Sequence, residues 1–260
     1  MLYFKDLISC GQVSKQTRRI CLDALQWKKI NLSKKIVPAE FIKYVLDHGC
    51  QYLNLSGAKI TGNLNLDKKS YSIKYLNLAD CKSDPNFVKK LIVSCKYIQK
   101  LSLRHFESFR DDAKNILKCI NPNGLQTLDL TLTSGLDLNY IQKLFKSKTL
   151  TEISFLSNRD LQHSRHLVDY IINNLPKNIK NLSIAGLMCI TDEHLAFMNK
   201  RNENLSINHR VFEGCLGKID PNHSFLPEEG FWDVPIRQLE LFPSMPDKLK
   251  GYPVTILRYK

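Results

Sequence analysis

Pairs of apolar residues separated by one polar residue recur along most of the chain. In a β-strand, successive side chains point to opposite faces, so each such segment would bury its two apolar residues and present the polar one. The eight segments are Ile30-Asn31-Leu32, Leu53-Asn54-Leu55, Leu76-Asn77-Leu78, Leu101-Ser102-Leu103, Leu128-Asp129-Leu130, Ile153-Ser154-Phe155, Leu182-Ser183-Ile184 and Leu205-Ser206-Ile207. They predict eight short strands.

The spacing of these segments is nearly constant, at 23, 23, 25, 27, 25, 29 and 23 residues. A period of about 20–29 residues is typical of leucine-rich repeats, whose units bury their apolar faces only by stacking on their neighbours. Helical periodicity occupies most of the intervals between the segments. We therefore predict an α/β fold, a leucine-rich-repeat solenoid (horseshoe) over residues 29–208, with parallel strands on the concave side and helices on the convex side.

The intervals give six predicted helices and one exception. Asp84 is placed to cap a helix whose first residue is Pro85, and Thr191 precedes another helix start. Two further helices are expected to begin at Pro38 and at Asp112. The last two are marked by their apolar residues, which are Tyr140, Ile141, Leu144 and Phe145 in one and Leu167, Val168, Ile171 and Ile172 in the other. Residues 60–74 lack helical periodicity, and we expect an irregular connector there.

Both ends of the chain depart from the repeat pattern. Residues 1–28 read as a short helical N-terminal cap, which would cover the open end of a solenoid. Six of the ten prolines follow residue 209, a density that prevents regular repeats. Residues 209–260 remain too apolar for a disordered tail, so we expect an irregular, Pro-rich C-terminal cap.

The outward positions of the eight strands form the predicted binding surface. These positions carry five charged residues, which are Lys29, Lys100, Arg104, Asp129 and Glu152. Adjacent repeats with differing polar residues are typical of an extended protein-docking surface, and Tyr and Arg are enriched in interface hot spots. The candidate substrate-binding residues are Tyr52, Asn54, Tyr75, Asn77, Arg104, Asp129, Glu152 and Leu156.

The net charge of +13 raises the alternative of nucleic-acid binding. Most lysines fall in the predicted helices and connectors, whereas a nucleic-acid groove should concentrate them on one face with aromatic residues. We therefore expect no nucleic-acid partner. No apolar run approaches the length needed to cross a bilayer, so we expect no membrane partner either. No P-loop, nucleophile elbow or zinc-protease motif occurs, so we expect no catalytic site and no cofactor.

Eight cysteines are present, without a Cys-x-x-Cys pair. Cys50 and Cys95 are expected at equivalent repeat positions, three residues before Leu53 and Ile98, as small buried hydrophobes. His48 with Cys50 is the nearest candidate for a metal site, and the end of a repeat helix is the simpler interpretation. The first residues lack a secretory signal, so the expected compartment is the cytosol, the nucleus or both.

The segment before the first strand resembles part of a known module. Asp6-Leu7, Val13-Ser14-Lys15, Arg18-Arg19-Ile20 and Leu25-Gln26-Trp27 resemble the second half of an F-box running directly into leucine-rich repeats. The whole chain is similar to the F-box/leucine-rich-repeat family. The Leu-Pro and apolar helix that begin an F-box are missing before Asp6, and Gln26 splits the usual Leu-Trp pair, so an N-terminally shortened member is expected.

This resemblance implies a function without catalysis. Members are substrate-recognition subunits of SCF-type cullin–RING ubiquitin ligases, whose F-box binds an adaptor subunit and, through it, cullin. The adaptor-binding residues implied here are Leu7, Val13, Ser14, Arg18, Ile20 and Trp27. The repeats would hold a target protein for ubiquitination and proteasomal degradation. The alternative is a stand-alone leucine-rich-repeat interaction scaffold with no ubiquitin role, which the shortened F-box favours.

Overall fold

In a computed structural model of the 260-residue chain, the structure describes residues 27–66, 70–106, 110–156, 158–187 and 189–208. The chain divides into two compact units, and the described residues up to Ile98 belong to the first and those from Gln99 to the second. Except for Trp27 and Lys28, the expected caps at residues 1–28 and 209–260 lie outside the described residues.

The first unit alternates strands with helices. Its elements are β1 (Lys29–Asn31), β2 (Ile36–Pro38), α1 (Ala39–Asp47), β3 (Tyr52–Asn54), β4 (Lys59–Thr61), β5 (Tyr75–Asn77) and α2 (Pro85–Ser94). Strands β1, β3 and β5 pair in parallel, with Ile30, Leu53 and Leu76 in register. The apolar residues of these strands are buried, as predicted for a face that closes on a core.

A second, two-stranded parallel sheet joins β2 to β4, which the sequence analysis missed. Strand β4 includes Ile60 and Thr61, so the start of the expected irregular connector is wrong. The rest of that connector is free of helix and strand in its described residues, 62–66 and 70–74. Leu64 and Ile73 are nevertheless buried, so the connector contributes apolar side chains to the core of the first unit.

The second unit continues the alternation. Its elements are β6 (Lys100–Ser102), α3 (Arg110–Cys119), β7 (Thr127–Asp129), α4 (Leu138–Phe145), β8 (Glu152–Ser154), α5 (Arg159–Gln162), α6 (Arg165–Asn174), β9 (Asn181–Ser183), α7 (Asp192–Arg201) and β10 (Ser206–Asn208). Strands β6 to β10 pair in parallel in chain order. Leu128, Ile153 and Leu182 share one register line at their centres.

The last strand differs from its prediction by two residues. Ile207, not Leu205, pairs with Leu182, so the centre of β10 follows that of β9 by 25 residues rather than 23. Leu205 belongs to the preceding turn, where its N–H donates to the Asn202 carbonyl. Because two residues are one full strand period, Ser206 and Asn208 keep their predicted face.

The helices follow the predicted periodicity closely. Asp84 caps α2 by accepting the Asn86 N–H at 2.7 Å, and Thr191 caps α7, so both predicted starts are confirmed. The predicted start at Asp112 is wrong, because α3 begins at Arg110. The short helix α5 was missed; it starts where the Asn158 side chain accepts the N–H groups of Asp160 and Leu161.

A left-handed residue follows six of the described strands at a fixed distance. The residue four positions after the strand centre has a positive φ in six repeats, at Lys34, Gly57, Asp80, His105, Leu132 and Gly186. Only two of these residues are glycine, although non-glycine residues there carry a steric penalty of about 1–2 kcal/mol. The repeated turn is therefore imposed by stacking against neighbouring repeats rather than by local preference.

Three cysteines, Cys50, Cys81 and Cys95, are buried in the first unit as free thiols. This confirms the prediction that they act as small apolar residues. The predicted equivalence of Cys50 and Cys95 is wrong. Leu53 and Leu101 are the centres of their strands, so the residue matching Cys50 in that repeat is Ile98.

These observations define an α/β leucine-rich-repeat fold, as the spacing predicts. Parallel strands of three residues are combined with helices, and most apolar residues of both kinds of element are buried. In each unit, the side of the strands that carries the polar positions is therefore not part of the apolar core.

Candidate protein-docking faces of the strands

The polar positions of each unit form a distinct surface. We call the side of β1, β3 and β5 that carries Lys29, Asn31, Ser33, Tyr52, Asn54, Ser56, Tyr75 and Asn77 the first strand face. The second strand face is the corresponding side of β6 to β10, with Lys100, Ser102, Arg104, Thr127, Asp129, Thr131, Glu152, Ser154, Leu156, Asn181, Ser183, Ser206 and Asn208.

A row of a cation and two aromatic rings crosses the first strand face. The rings of Tyr52 and Tyr75 are stacked, with centroids 4.5 Å apart and planes at 11°. The Lys29 Nζ lies 5.0 Å from the Tyr52 centroid, within range of a cation–π interaction. Burial raises the pKa of the Tyr75 hydroxyl, and the neighbouring Tyr52 hydroxyl raises it further. The row is thus fixed by contacts between its own members.

A column of three asparagines lies beside this row. The Oδ1 atoms of Asn31, Asn54 and Asn77 accept the backbone N–H two residues onward, at 2.9, 3.0 and 2.9 Å. Each contact fixes its amide, because a flipped amide would place two donors against each other. Asn54 and Asn77 are only 7% and 3% exposed, and their NH₂ groups bond to no acceptor within the described residues.

The second strand face holds its first carboxylate in a closed network. Asp129 Oδ1 accepts the Thr131 N–H at 3.0 Å, and its Oδ2 accepts the Ser102 hydroxyl at 3.0 Å. The Thr131 hydroxyl in turn lies 2.9 Å from the Ser154 hydroxyl. These bonds satisfy the buried Asp129 carboxylate, which would otherwise be costly to remove from water.

The second carboxylate of this face, that of Glu152, accepts hydrogen bonds from side chains of the two neighbouring strands. Glu152 Oε2 accepts the Thr127 hydroxyl at 3.0 Å, and Glu152 Oε1 accepts the Asn181 amide at 3.1 Å. Ser183 is 1% exposed, and its Oγ has no partner among the described residues. Apart from this hydroxyl, the two carboxylates of the face have both oxygens paired with neighbouring donors.

The predicted substrate-binding residues fall into these groups. Tyr52, Tyr75, Asn54 and Asn77 come together on the first strand face, whereas Asp129 and Glu152 belong to separate networks of the second. Arg104 is half-buried and its N–H donates to Ser102 Oγ at 3.4 Å. Leu156 is 9% exposed, which leaves little of an anchor residue accessible. No contact tests the binding role of any of the eight, so those roles stay predictions.

The polar residue that ends the strand is more buried than expected in several of the strands. The sequence predicts outward, accessible polar residues there, but Asn77, Asp129, Ser154 and Ser183 are all less than 9% exposed. Parallel strands lie about 4.8 Å apart, so a short side chain is covered by its neighbours on both sides. Among the first residues of the strands, Lys29 and Ser206 are exposed, whereas Thr127 is buried.

Of the predicted adaptor-binding residues, only Trp27 is described. Its ring is 4% exposed and packs against Tyr44 and His48 of the first unit, with centroids 5.2 and 4.9 Å away. Leu7, Val13, Ser14, Arg18 and Ile20 lie outside the described residues. Adaptor binding by the six residues therefore stays a prediction of the sequence.

His48 and Cys50 have separate local contacts. The His48 Nδ1 lies 2.8 Å from the Tyr44 carbonyl, and His48 is the C-cap of α1, so the interpretation as a helix end is confirmed. The Cys50 thiol donates to the Tyr52 carbonyl at 3.4 Å. Across the described ranges, no three His, Cys, Asp or Glu side chains are grouped to hold a metal ion. None of the described helices has the length and apolar character to cross a bilayer.

No protein-family model matches the chain, and no curated protein matches it. Among solved structures, the leucine-rich repeat-containing protein LegL7 from Legionella pneumophila is similar, with 14% identity and a TM-score of 0.40. The match covers 70% of this chain and 64% of that one, so the chain spans less than two thirds of its length.

Proposed function

We propose that the chain binds a protein partner on its strand faces and performs no chemistry of its own. The observation that supports this is the first strand face, where a stacked tyrosine pair stands beside a column of fixed amides. Tyrosine is enriched in interface hot spots because it offers apolar area and a hydroxyl together. Amides already held in place lose little conformational freedom on binding.

The finer part of the proposal is that the partner is a target for ubiquitination. The residues that resemble an F-box, from Asp6 to Trp27, support a role as the substrate-recognition subunit of an SCF-type ligase. The adaptor would then link the chain to cullin, and the strand faces would raise the effective concentration of the target's lysines. A stand-alone interaction scaffold is the second candidate, favoured by Gln26, which splits the Leu-Trp pair usual in an F-box.

Two charge-reversal variants of the chain distinguish binding on the second strand face from binding elsewhere. Glu152→Lys reverses a charge on the second strand face, and Glu193→Lys makes the same change on α7. We expect the first variant, but not the second, to lose the proteins that co-purify with the chain from its native cells. Equal retention by both variants would argue against docking on the second strand face.

The ligase assignment has its own test. A pull-down with the purified adaptor should capture the chain, and Ile20→Asp should abolish the capture by placing a charge in the implied contact. The same pull-down with an F-box first helix added upstream tests whether adaptor binding requires that helix. Failure of both forms to bind the adaptor would leave only the scaffold.

A further inference from the structure

We propose that the first strand face binds an extended acidic segment of the partner. This inference rests on the proposed docking function and specifies the chemistry of one of the two faces. The reason is an imbalance within the three asparagine amides of that face, whose Oδ1 atoms already accept hydrogen bonds while their NH₂ groups bond to no acceptor among the described residues.

The donors come from the asparagine column and from one cation. The Oδ1 atoms of Asn31, Asn54 and Asn77 are occupied by backbone N–H groups, so each side chain offers only its NH₂ group to a visitor. Lys29 lies in the same strand as Asn31 and is the one charged residue among the defining residues of the first strand face. No carboxylate belongs to this set, so an anion meets no like charge there.

Two of these amides present their donors from a largely buried position. Asn54 and Asn77 are more than nine-tenths buried as residues, and neither Nδ2 atom is among the fully buried atoms without a partner, so water reaches these donors. A ligand that supplies acceptors at the spacing of adjacent strands would take the place of that water. Carboxylates and main-chain carbonyls are the acceptors that a peptide offers, and a carboxylate forms the stronger, charge-assisted bond.

The second strand face supplies an internal comparison. Asp129 holds the place in its strand that Asn54 holds in β3, and it accepts the backbone N–H two residues onward in the same way. Its other oxygen accepts the Ser102 hydroxyl, so the network there closes without a ligand. An acidic segment would meet Asp129 and Glu152 on that face, and we therefore assign it to the first strand face alone.

The positive charge of the first unit also favours an acidic partner. Between residues 27 and 98, lysines outnumber carboxylates by more than two to one, and there is no arginine. Most of these lysines lie off the first strand face, where they add a positive potential without occupying it. Such a field raises the association rate of an anionic segment and weakens with ionic strength.

The test replaces donors by acceptors without disturbing the turn. Asn54→Asp and Asn77→Asp keep the Oδ1 that accepts the backbone N–H, as Asp129 does, and convert each NH₂ into a carboxylate oxygen. Asn86→Asp, on the exposed first turn of α2, is the matched control for each single substitution, because it makes the same change of one charge at another place. Lys29→Gln removes the cation while leaving both amides in place.

The probe is a fluorescein-labelled (Glu-Gly)₅ peptide, with (Gln-Gly)₅ as its neutral counterpart, in anisotropy titrations at fixed ionic strength. We expect the full chain to prefer the acidic peptide, and Asn54→Asp with Asn77→Asp to weaken its binding at least about tenfold. Asn86→Asp should change the binding less than about twofold.

Three results would overturn the inference: no binding of the acidic peptide, equal binding of the neutral one, or an equal loss in Asn86→Asp. Thermal unfolding of each variant shows whether a loss of binding reflects a loss of fold, and Lys29→Gln gives a second reading independent of the asparagines. If the peptide fails but the natural partner still cross-links to the strands, docking on the strands survives and only its acidic character is rejected.

Discussion

Tyr52 and Tyr75 stack face to face across two neighbouring strands of the first unit, with their ring centroids 4.5 Å apart and their planes at 11°. The two residues are directly in register, so the contact follows from the parallel pairing of β3 and β5. Cross-strand aromatic pairs of this kind contribute beyond the area that they bury. The stack therefore stabilises the surface that we propose for binding.

A double-mutant cycle measures that contribution. Tyr52→Leu, Tyr75→Leu and the double variant should show a coupling free energy of about 1 kcal/mol in denaturant unfolding, because each single change already removes the stack. The pair Tyr52→Leu and Tyr97→Leu is the control, since Tyr97 is 64% exposed. Additive effects in the first cycle would show that the rings contribute only their separate burial.

A close approach between two backbone segments gives a prediction for the second unit. Gly135 has a φ of +83°, and a Cβ there would lie 2.5 Å from Lys114 N and 2.9 Å from Ala113 C, both in α3. Gly124 has a similar φ of +88° with nothing within 4 Å of the same added atom. Gly124→Ala should cost about 1–2 kcal/mol from backbone strain alone.

Gly135→Ala should cost about 2 kcal/mol more, because the backbone of α3 must move to admit the methyl group. Chemical denaturation of the two variants side by side provides the comparison. Equal losses of stability would mean that the loop at Gly135 does not lie against α3 as described.

A buried hydroxyl in α4 has no hydrogen-bond partner among the described residues. Tyr140 is 4% exposed, its Oη bonds to nothing there, and burial raises the pKa of its hydroxyl. Tyr140→Phe removes the unsatisfied group and keeps the ring, so we expect the free energy of unfolding to rise by about 1 kcal/mol. Tyr170→Phe, at a half-buried position, should change it by less than about 0.5 kcal/mol. A loss of stability in Tyr140→Phe would reveal a partner for that hydroxyl.

The Cys50 thiol links stability to alkaline pH. Burial raises the pKa of Cys50 to about 12 from its ordinary value of 9.0. Below pH 9 the thiol is protonated in both folded and unfolded chains. Between pH 9 and 12 it ionises only when unfolded, so the stability that it contributes is lost as pH rises, at about 1.4 kcal/mol per pH unit.

Cys50→Ala should therefore reduce the slope of unfolding free energy against pH in that window by this amount. Val45→Ala removes apolar volume from a buried position without a titrating group and should leave the slope unchanged. The measurement is urea unfolding at half-unit steps from pH 8.5 to 11. An unaltered slope in Cys50→Ala would show that the thiol is accessible to solvent in the folded chain.

The repeat and most helices could be predicted because each depends on residues close together in sequence. The apolar spacing of β3, and the Asp84-Pro85 start of α2, are complete within a few residues. The register of β10 could not be predicted, since Leu205 and Ile207 are both apolar and only pairing with Leu182 selects between them. Strands β2 and β4 likewise depend on pairing across more than 20 residues.

The candidate site was predictable in place but not in chemistry. Alternation along each strand identifies Asn54 and Asp129 as outward residues, and nothing nearby in sequence distinguishes their roles. Asp129 is satisfied by Ser102, which lies 27 residues away, whereas the Asn54 amide meets no such partner among the described residues. The balance of donors and acceptors on a repeat surface depends on what the neighbouring repeats supply.

Photo-cross-linking compares the strand faces with the helices most directly. A benzoylphenylalanine placed at Lys29 or Ser206 samples an exposed strand position, and the same group at Lys89 or Lys118 samples an exposed helix position. We expect protein adducts in native cells from positions 29 and 206 and few from positions 89 and 118. Adducts from the helix positions alone, or in equal yield from all four, would contradict a docking function of the strand faces.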